Sequence, residues 1–264
     1  MSMKAKVSII QFQPLLAQPE ENVRQLIPSL NAVKGSDLVV LPELSNSGYN
    51  FRGYEEAYAC SEEIGSEGVF QDFLLSTAKT KGIYIVSGIN EREGDKLFNT
   101  SILVGPEGYM GKYRKIHLFM NEKDIFQKGN AGLPVYDIGD FKIGMMICFD
   151  YLFPEPWRIL AQKGADLICH PSNLLTENAK RCVPGISLMN RIFVATANRI
   201  GTEDNLKFNG TSLFTSPSGN ITEMASPDKT EIISSEIDTD LSRNKMVTLR
   251  NHVFDDRRPE AYRL

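Results

Sequence analysis

Three residues have types and settings that could do chemistry together. Cys148 closes the apolar run Lys142-Ile-Gly-Met-Met-Ile-Cys and is followed by Phe149-Asp150-Tyr151-Leu152-Phe153-Pro154-Glu155-Pro156-Trp157-Arg158. Taken alone, a buried cysteine is usually a small hydrophobe. Here two carboxylates and a helix start follow the thiol. A cysteine at a strand end beside a helix N-terminus is expected to have a lowered pKa and free backbone N–H groups next to it, the setting of a thiol nucleophile. The other cysteines lack that context: Cys169 lies within an apolar strand, Cys60 in a polar stretch, and Cys182 beside Lys180, Arg181 and Pro184. Glu43 directly follows Leu38-Val-Val-Leu-Pro42. That puts a carboxylate at the carboxyl end of a buried strand, where α/β sheets hold their sites, although a solvated loop acid has the same sequence setting. Lys115 stands in Gly111-Lys-Tyr-Arg-Lys-Ile-His-Leu-Phe119. A cation cluster is ordinarily a solvated face, but Arg114-Lys115 gives way to Ile116, Leu118 and Phe119, so one cation can point inward. A buried lysine needs a carboxylate partner, which Glu43 or Glu122 could supply. Strand-like alternation puts His117 on the face of Lys115, which leaves a Cys–His pair open without indicating one.

The elements that must position these residues alternate between short apolar strands and helices. Strands are expected over residues 6–12, 37–41, 83–89, 100–104, 142–148, 167–170, 193–197 and 213–216. Helices are expected over 19–33, with Pro28 as an interruption, and over 69–81 and 156–163. Such alternation implies a layered α/β fold, and no Pro/Gly/Ser-rich linker divides the chain, so residues 1–264 read as one domain. A weak repeat runs through it in order. Gly35-Ser-Asp-Leu-Val-Val-Leu-Pro42 matches Gly164-Ala-Asp-Leu-Ile-Cys-His-Pro171, residues 82–88 match 191–197, and Thr100 to Gly108 matches Thr211 to Gly219. The ordered set predicts two sheets of similar topology in two pseudo-equivalent halves, with helices covering the outer faces. The loop Leu44-Ser-Asn-Ser-Gly-Tyr-Asn-Phe51, with Tyr49 and Phe51, is a candidate pocket wall.

Composition excludes several classes of function. Across 264 residues, 29 Lys and Arg oppose 33 Asp and Glu, for a net charge of -4. No segment is strongly basic, which speaks against a nucleic-acid groove. The mean hydropathy of -0.23 and the lack of a long apolar run speak against a membrane span. The first residues lack the apolar core of a secretory signal. Four cysteines without CxxC spacing fit a reducing cytoplasm. Three histidines without HExxH or HxH spacing give no metal site. No Walker A pattern occurs, and Gly105-x-x-Gly-x-x-Gly111 has turn spacing rather than dinucleotide-binding spacing.

With these residues in order, the chain resembles the nitrilase, or carbon–nitrogen hydrolase, superfamily over nearly its whole length. The motifs are Leu41-Pro42-Glu43, then Tyr113-Arg114-Lys115-Ile116-His117-Leu118, then Ile147-Cys148-Phe149-Asp150 with Phe153-Pro154-Glu155. The resemblance implies a four-layer α-β-β-α sandwich, with Glu43 as general base, Lys115 as the electrostatic member and Cys148 as nucleophile. Glu122 takes the place of a further family glutamate, and the Phe149 backbone N–H would share the oxyanion with Lys115. Substrate contacts are expected from Asn173 and the adjoining Leu174, because Pro171-Ser172-Asn173 matches a stretch that lines the pocket in many members, and from Tyr49 on the candidate pocket wall. Family amidases often carry an Arg-Ala-x-Glu-Asn run before the Asn-Arg that here is Asn198-Arg199; this chain has Ile186 and Met189 at the Arg and Glu positions. The implied reaction is hydrolysis of a small-molecule amide or N-carbamoyl amine through a cysteine thioester, without cofactor or metal. Phe149-Asp150 is similar to amidase branches, with an aliphatic nitrile as the alternative substrate. A catalytically silent member that binds a small amide or a protein partner is the alternative of another class. A homodimer or higher oligomer is also expected, with the tail from Leu241 to Leu264 docking at the subunit interface.

Overall fold

The computed structural model describes residues 4–262; the last two residues of the C-terminal tail lie outside them. Its two main sheets are built to one plan. In the first, the strands Lys4–Gln11, Leu38–Val40 and Tyr84–Glu93 are parallel neighbours, followed by antiparallel Lys96–Gly105 and Gly108–Arg114. In the second, Lys142–Met145, Leu167–Pro171 and Phe193–Ala197 are parallel, followed by antiparallel Leu213–Thr215 and Ile221–Met224. Each sheet gains an antiparallel edge strand beside its first member: Glu231–Asp238 in one, Val135–Asp137 in the other. The repeat seen in sequence is therefore a repeat of topology.

A shared device locks the corresponding strands. Asp37 accepts the Lys6 N–H on its carboxylate at 2.8 Å and returns its own N–H to the Lys6 carbonyl at 2.8 Å. Asp166 does the same with Lys142, at 3.0 and 2.8 Å. A carboxylate accepting a backbone N–H just before a strand satisfies a donor that the ladder has not yet reached, which is why an aspartate precedes each apolar run.

Side-chain alternation along the strands separates the layers. Val7, Ile9, Leu38 and Val40 face the second sheet and pack with Ile143, Met145, Leu167 and Cys169. Ile10, Val39 and Leu41 face outward against Leu26, Leu30, Phe70 and Leu74 of the helices Pro19–Ala32 and Val69–Lys81. The helices Pro154–Gln162 and Asn178–Asn190 cover the second sheet through Trp157, Leu160 and Val183. The result is an α-β-β-α sandwich. Pro28 stays inside its helix because it lies on the exposed face, where the acceptor it deprives of a donor can meet water. Among the described residues, no helix is long and apolar enough to cross a membrane.

The tail folds back on its own chain in part. Arg243 pairs with Asp166 at 2.9 Å, and the Lys245 ammonium donates to the carbonyls of Asn190 and Arg191 at 3.2 and 2.7 Å. Phe254 packs against the main core. Between them a short hairpin, Met246–Thr248 with Asn251–His252, carries Val247 and the fully open Leu249 outward.

Candidate active site

The site lies at the carboxyl ends of the parallel strands of both sheets. Glu43 follows Leu38–Val40, and its turn is closed by Gly88 N–H on Pro42 O at 3.0 Å and Ser45 N–H on Gly88 O at 3.0 Å. Gly88 is obligatory for a close approach, since a Cβ there would stand 2.4 Å from the Glu43 Cα. The Glu43 side chain is wholly buried. Its Oε1 accepts from Lys115 Nζ at 2.7 Å and from Asn99 Nδ2 at 2.7 Å. Among the described residues its Oε2 has no hydrogen-bond partner.

Lys115 comes directly after Gly108–Arg114 and is anchored through its backbone, its N–H on Asn99 O at 2.8 Å and its carbonyl taking the Gly129 N–H at 2.9 Å. Its ammonium bridges Glu43 and Glu122, both at 2.7 Å. Burial is the strongest single influence on this lysine and acts to discharge it, but Glu122 and Glu43 together outweigh burial and raise its pKa above the usual lysine value. Glu122 opens the one-turn helix Glu122–Ile125. Its Oε1 also takes the Tyr49 hydroxyl at 2.9 Å, and its Oε2 takes the Phe119 N–H at 3.1 Å. Burial, with Glu43 nearby, drives the Glu122 carboxyl well above the usual carboxylate range despite the pull of Lys115.

Cys148 corrects two expectations. The strand does not reach it but ends at Met145, and Cys148 instead heads the 3₁₀ turn Cys148–Leu152 with φ 41°. A left-handed non-glycine residue is uncommon and costs free energy that its surroundings must offset. The surroundings are the buried Asp150, which accepts the Ile147 N–H at 2.9 Å and the Tyr113 hydroxyl at 2.7 Å. His170 Nε2 reaches the Cys148 carbonyl at 2.9 Å from the next strand. The second correction concerns the thiol, whose pKa is raised rather than lowered. Burial is the main cause and Glu43 adds to it, against opposing influences from Lys115 and the Asn173 backbone N–H.

His117 does not face the cysteine. The strand ends at Arg114, so the expected alternation stops before it; His117 Nδ1 lies 2.7 Å from Asp150 Oδ1 and its ring stacks on Phe153 at 3.7 Å. Cys60 and Cys169 are buried, with thiols pushed up by burial, to about 11 for Cys60.

Cys148, Phe149, Asn173 and Leu174 line one cavity of about 50 Å³. One water needs about 10–15 Å³ by this measure, so the space suits a ligand of few heavy atoms. Asn173 is buried, and among the described residues neither its Oδ1 nor its Nδ2 has a partner. Tyr49, Phe51 and Glu122 line a second cavity of about 90 Å³. Ile186 is buried, whereas Met189 is exposed on the outer helix. Among the described residues no three His, Cys, Asp or Glu side chains are grouped to hold a metal ion. The sequence reading passed over Asn99, Tyr113 and His170. The available signal was a polar residue inside a buried strand, as with Asn99 between Phe98 and Thr100, which must find a partner.

Comparison with known proteins identifies the family. The carbon-nitrogen hydrolase family profile matches residues 6–245. A Pyrococcus abyssi protein named nitrilase is 45% identical over 97% of this chain and 98% of its own. The 2-oxoglutaramate amidase of Bacillus subtilis is 30% identical over 98% of this chain and all of its own length (100%). The crystal structure of an amidase from Nesterenkonia sp. superposes with a TM-score of 0.79 at 23% identity, covering 97% of this chain and 94% of that one, which is likeness of fold. With two repeated sheets, a buried Glu–Lys–Glu cluster beside a strained cysteine, and a family match over most of its length, the chain belongs to the carbon–nitrogen hydrolase family of the nitrilase superfamily.

Proposed function

We propose that the protein hydrolyses the amide bond of a small molecule through a Cys148 thioester, with Glu43 as the proton shuttle. The observation that carries this reading is the unpartnered Glu43 Oε2. Both Glu122 oxygens are taken by donors, and Lys115 gives two of its three N–H donors to the two carboxylates, which leaves the third for an oxygen of the substrate. A thiol raised by burial is neutral at rest, so it needs a base at the moment of attack. Glu43 Oε2 takes the Sγ proton as sulfur bonds to the amide carbon. The negative charge moves to the amide oxygen, where Lys115 Nζ and the Phe149 N–H stabilise it; removing one such donor typically costs ~10²–10³ in rate. Glu43 then protonates the leaving ammonia or amine. Water, deprotonated by Glu43, attacks the thioester, and the acid leaves as the thiol is restored. Glu122 holds Lys115 in place rather than moving protons, and no cofactor enters the scheme.

The unpartnered amide of Asn173 supports a role in seating the substrate beside Cys148, with Leu174 as an apolar wall, while Tyr49 bounds the Glu122 side. A nitrile is the second reading, favoured by the name of the 45% identical relative. Ammonia release over small aliphatic amides, ω-amides, N-carbamoyl compounds and aliphatic nitriles, run beside Cys148→Ala, tests both readings. Amide turnover lost in the variant is expected. Turnover of nitriles alone assigns the second reading, and turnover unchanged in Cys148→Ala overturns the nucleophile. A protein with intact Cys148 and no turnover of any class would be the silent binding member.

A further inference from the structure

Behind the cluster lies a buried ion pair that the reaction does not use. Arg199 is fully buried, and every nitrogen of its guanidinium is engaged. Nη1 meets Glu203 Oε1 at 2.5 Å, Nη2 meets Pro14 O at 2.7 Å and Nε meets Ile200 O at 3.2 Å. Its plane lies over the Phe208 ring at 4.1 Å. Glu203 turns this anchor toward the site, because its Oε2 accepts the backbone N–H of Tyr49 at 3.1 Å and of Asn50 at 2.7 Å. Phe208 meets the Tyr49 ring edge-on at 6.0 Å. The loop has no room to drift: Gly48 is left-handed at φ 74°, and a Cβ there would stand 2.7 Å from Leu16 Cα and 2.8 Å from Glu203 Oε1. From this fixed backbone the Tyr49 hydroxyl donates to Glu122 Oε1, the oxygen that also holds Lys115 Nζ.

We propose that Arg199 and Glu203 are positioning residues for the Lys115–Glu122 pair, acting through the backbone and hydroxyl of Tyr49. The proposal rests on the reading of Lys115 as the group that stabilises the oxyanion. A buried ion pair is weak ground for stability, since well-packed apolar side chains can often replace it without loss. Glu203 does what an apolar residue cannot: it fixes two consecutive backbone N–H groups and so the direction of the phenol. A displacement of about 1 Å in such a constellation can cost about 10²-fold in rate.

The test compares Tyr49→Phe, Glu203→Gln and their double variant with the wild type, in kcat, KM, melting temperature and the pH profile of kcat/KM on the best amide of the panel. Tyr49→Phe removes one oxygen and keeps the ring, so it decides the matter even if Glu203→Gln fails to fold. It should lower kcat about ten- to a hundredfold with KM nearly unchanged. Glu122 faces Lys115, Glu43 and Tyr49, and loss of the Tyr49 donor disfavours its charged form. The acid limb of the profile should therefore move to higher pH. Glu203→Gln should act in the same direction by a smaller factor, and the double variant should be no worse than Tyr49→Phe. Wild-type kcat and profile in Tyr49→Phe overturn the proposal. So does multiplicative loss in the double variant, or a Glu203→Gln that lowers only the melting temperature. If Lys115→Ala itself keeps full turnover, the underlying assignment fails. If Lys115→Ala collapses while the Tyr49 and Glu203 variants behave as wild type, the positioning claim alone fails.

Discussion

Replacing Lys115 by methionine keeps much of the side-chain volume and deletes the charge between Glu43 and Glu122. Both contacts are 2.7 Å, and the lysine and both carboxylates are buried. Removing one member of a buried ion pair ordinarily costs about 3–5 kcal/mol, because the remaining charge is left uncompensated. Here two carboxylates are left. For a chain of this size that cost is a fall of about 10 °C or more in melting temperature near neutral pH. The deficit must depend on pH. Buried carboxylates without their cation bind protons more tightly in the folded variant than in its unfolded chain. A folded-state pKa raised in this way gives stability that is fully present below the unfolded value and lost as pH rises through the folded value. The variant should therefore approach wild-type stability near pH 4 and fall away from it as pH rises toward 8. Turnover should drop by at least ~10²–10³, from the lost oxyanion contact alone. Thermal melts at pH 4 to 8 and ammonia release by the folded variant measure both effects. A variant that melts with the wild type across that range, or one that keeps turnover, would refute the reasoning that the lysine is a buried, charged partner of both glutamates.

Gly88→Ala should cut activity by about 10²-fold with the chain still folded, because the new Cβ would strike the Glu43 backbone at 2.4 Å; unaltered kcat would mean that the Glu43 turn yields without displacing the carboxylate. Asn173→Ala should raise KM for amides, since both polar atoms of that side chain lack partners in the described structure; an unchanged KM would remove Asn173 from substrate binding. We also propose that the chain forms a homodimer or a larger assembly of dimers in which the tail hairpin is covered. Light scattering should give a mass of at least twice 29.6 kDa, and Leu249→Asp or truncation after Asp240 should weaken it. A monomer means the tail docks only on its own chain, and a dimer untouched by these changes assigns the interface to the outer helices.

The parts legible in sequence are those with strong local signals. Leu38-Val-Val-Leu41 and Leu167-Ile-Cys169 are continuous apolar runs because parallel strands in a sandwich are buried on both faces, and the aspartate before each run turned out to lock its first neighbour. The ordered repeat could be read because each half needs the same sequence of strands. Glu43, Lys115 and Glu122 could be singled out by type, yet their convergence depends on two loops whose conformations no local pattern encodes. The position of Cys148 was misread because apolar residues continue past Met145 while the backbone has already turned. Its raised thiol pKa was also hidden, since a helix start suggests a lowered one and only the packed structure reveals that burial prevails. The helix Asn178–Asn190 escaped notice because Pro184 interrupts it and its apolar face is thin. Arg199 stands out in sequence only as part of Asn198-Arg199 and Glu203 carries no local signal, because their burial follows from long-range packing against Pro14 and Tyr49.

The proposed thioester can be observed directly. The protein is mixed with its best amide, quenched in acid during steady turnover, digested and mapped by mass spectrometry. The peptide bearing Cys148 should carry the mass of the substrate less ammonia, and that mass should vanish in Cys148→Ala. Steady turnover with Cys148 unmodified at every quench time, or an adduct on Cys60, Cys169 or Cys182 instead, would contradict Cys148 as the nucleophile.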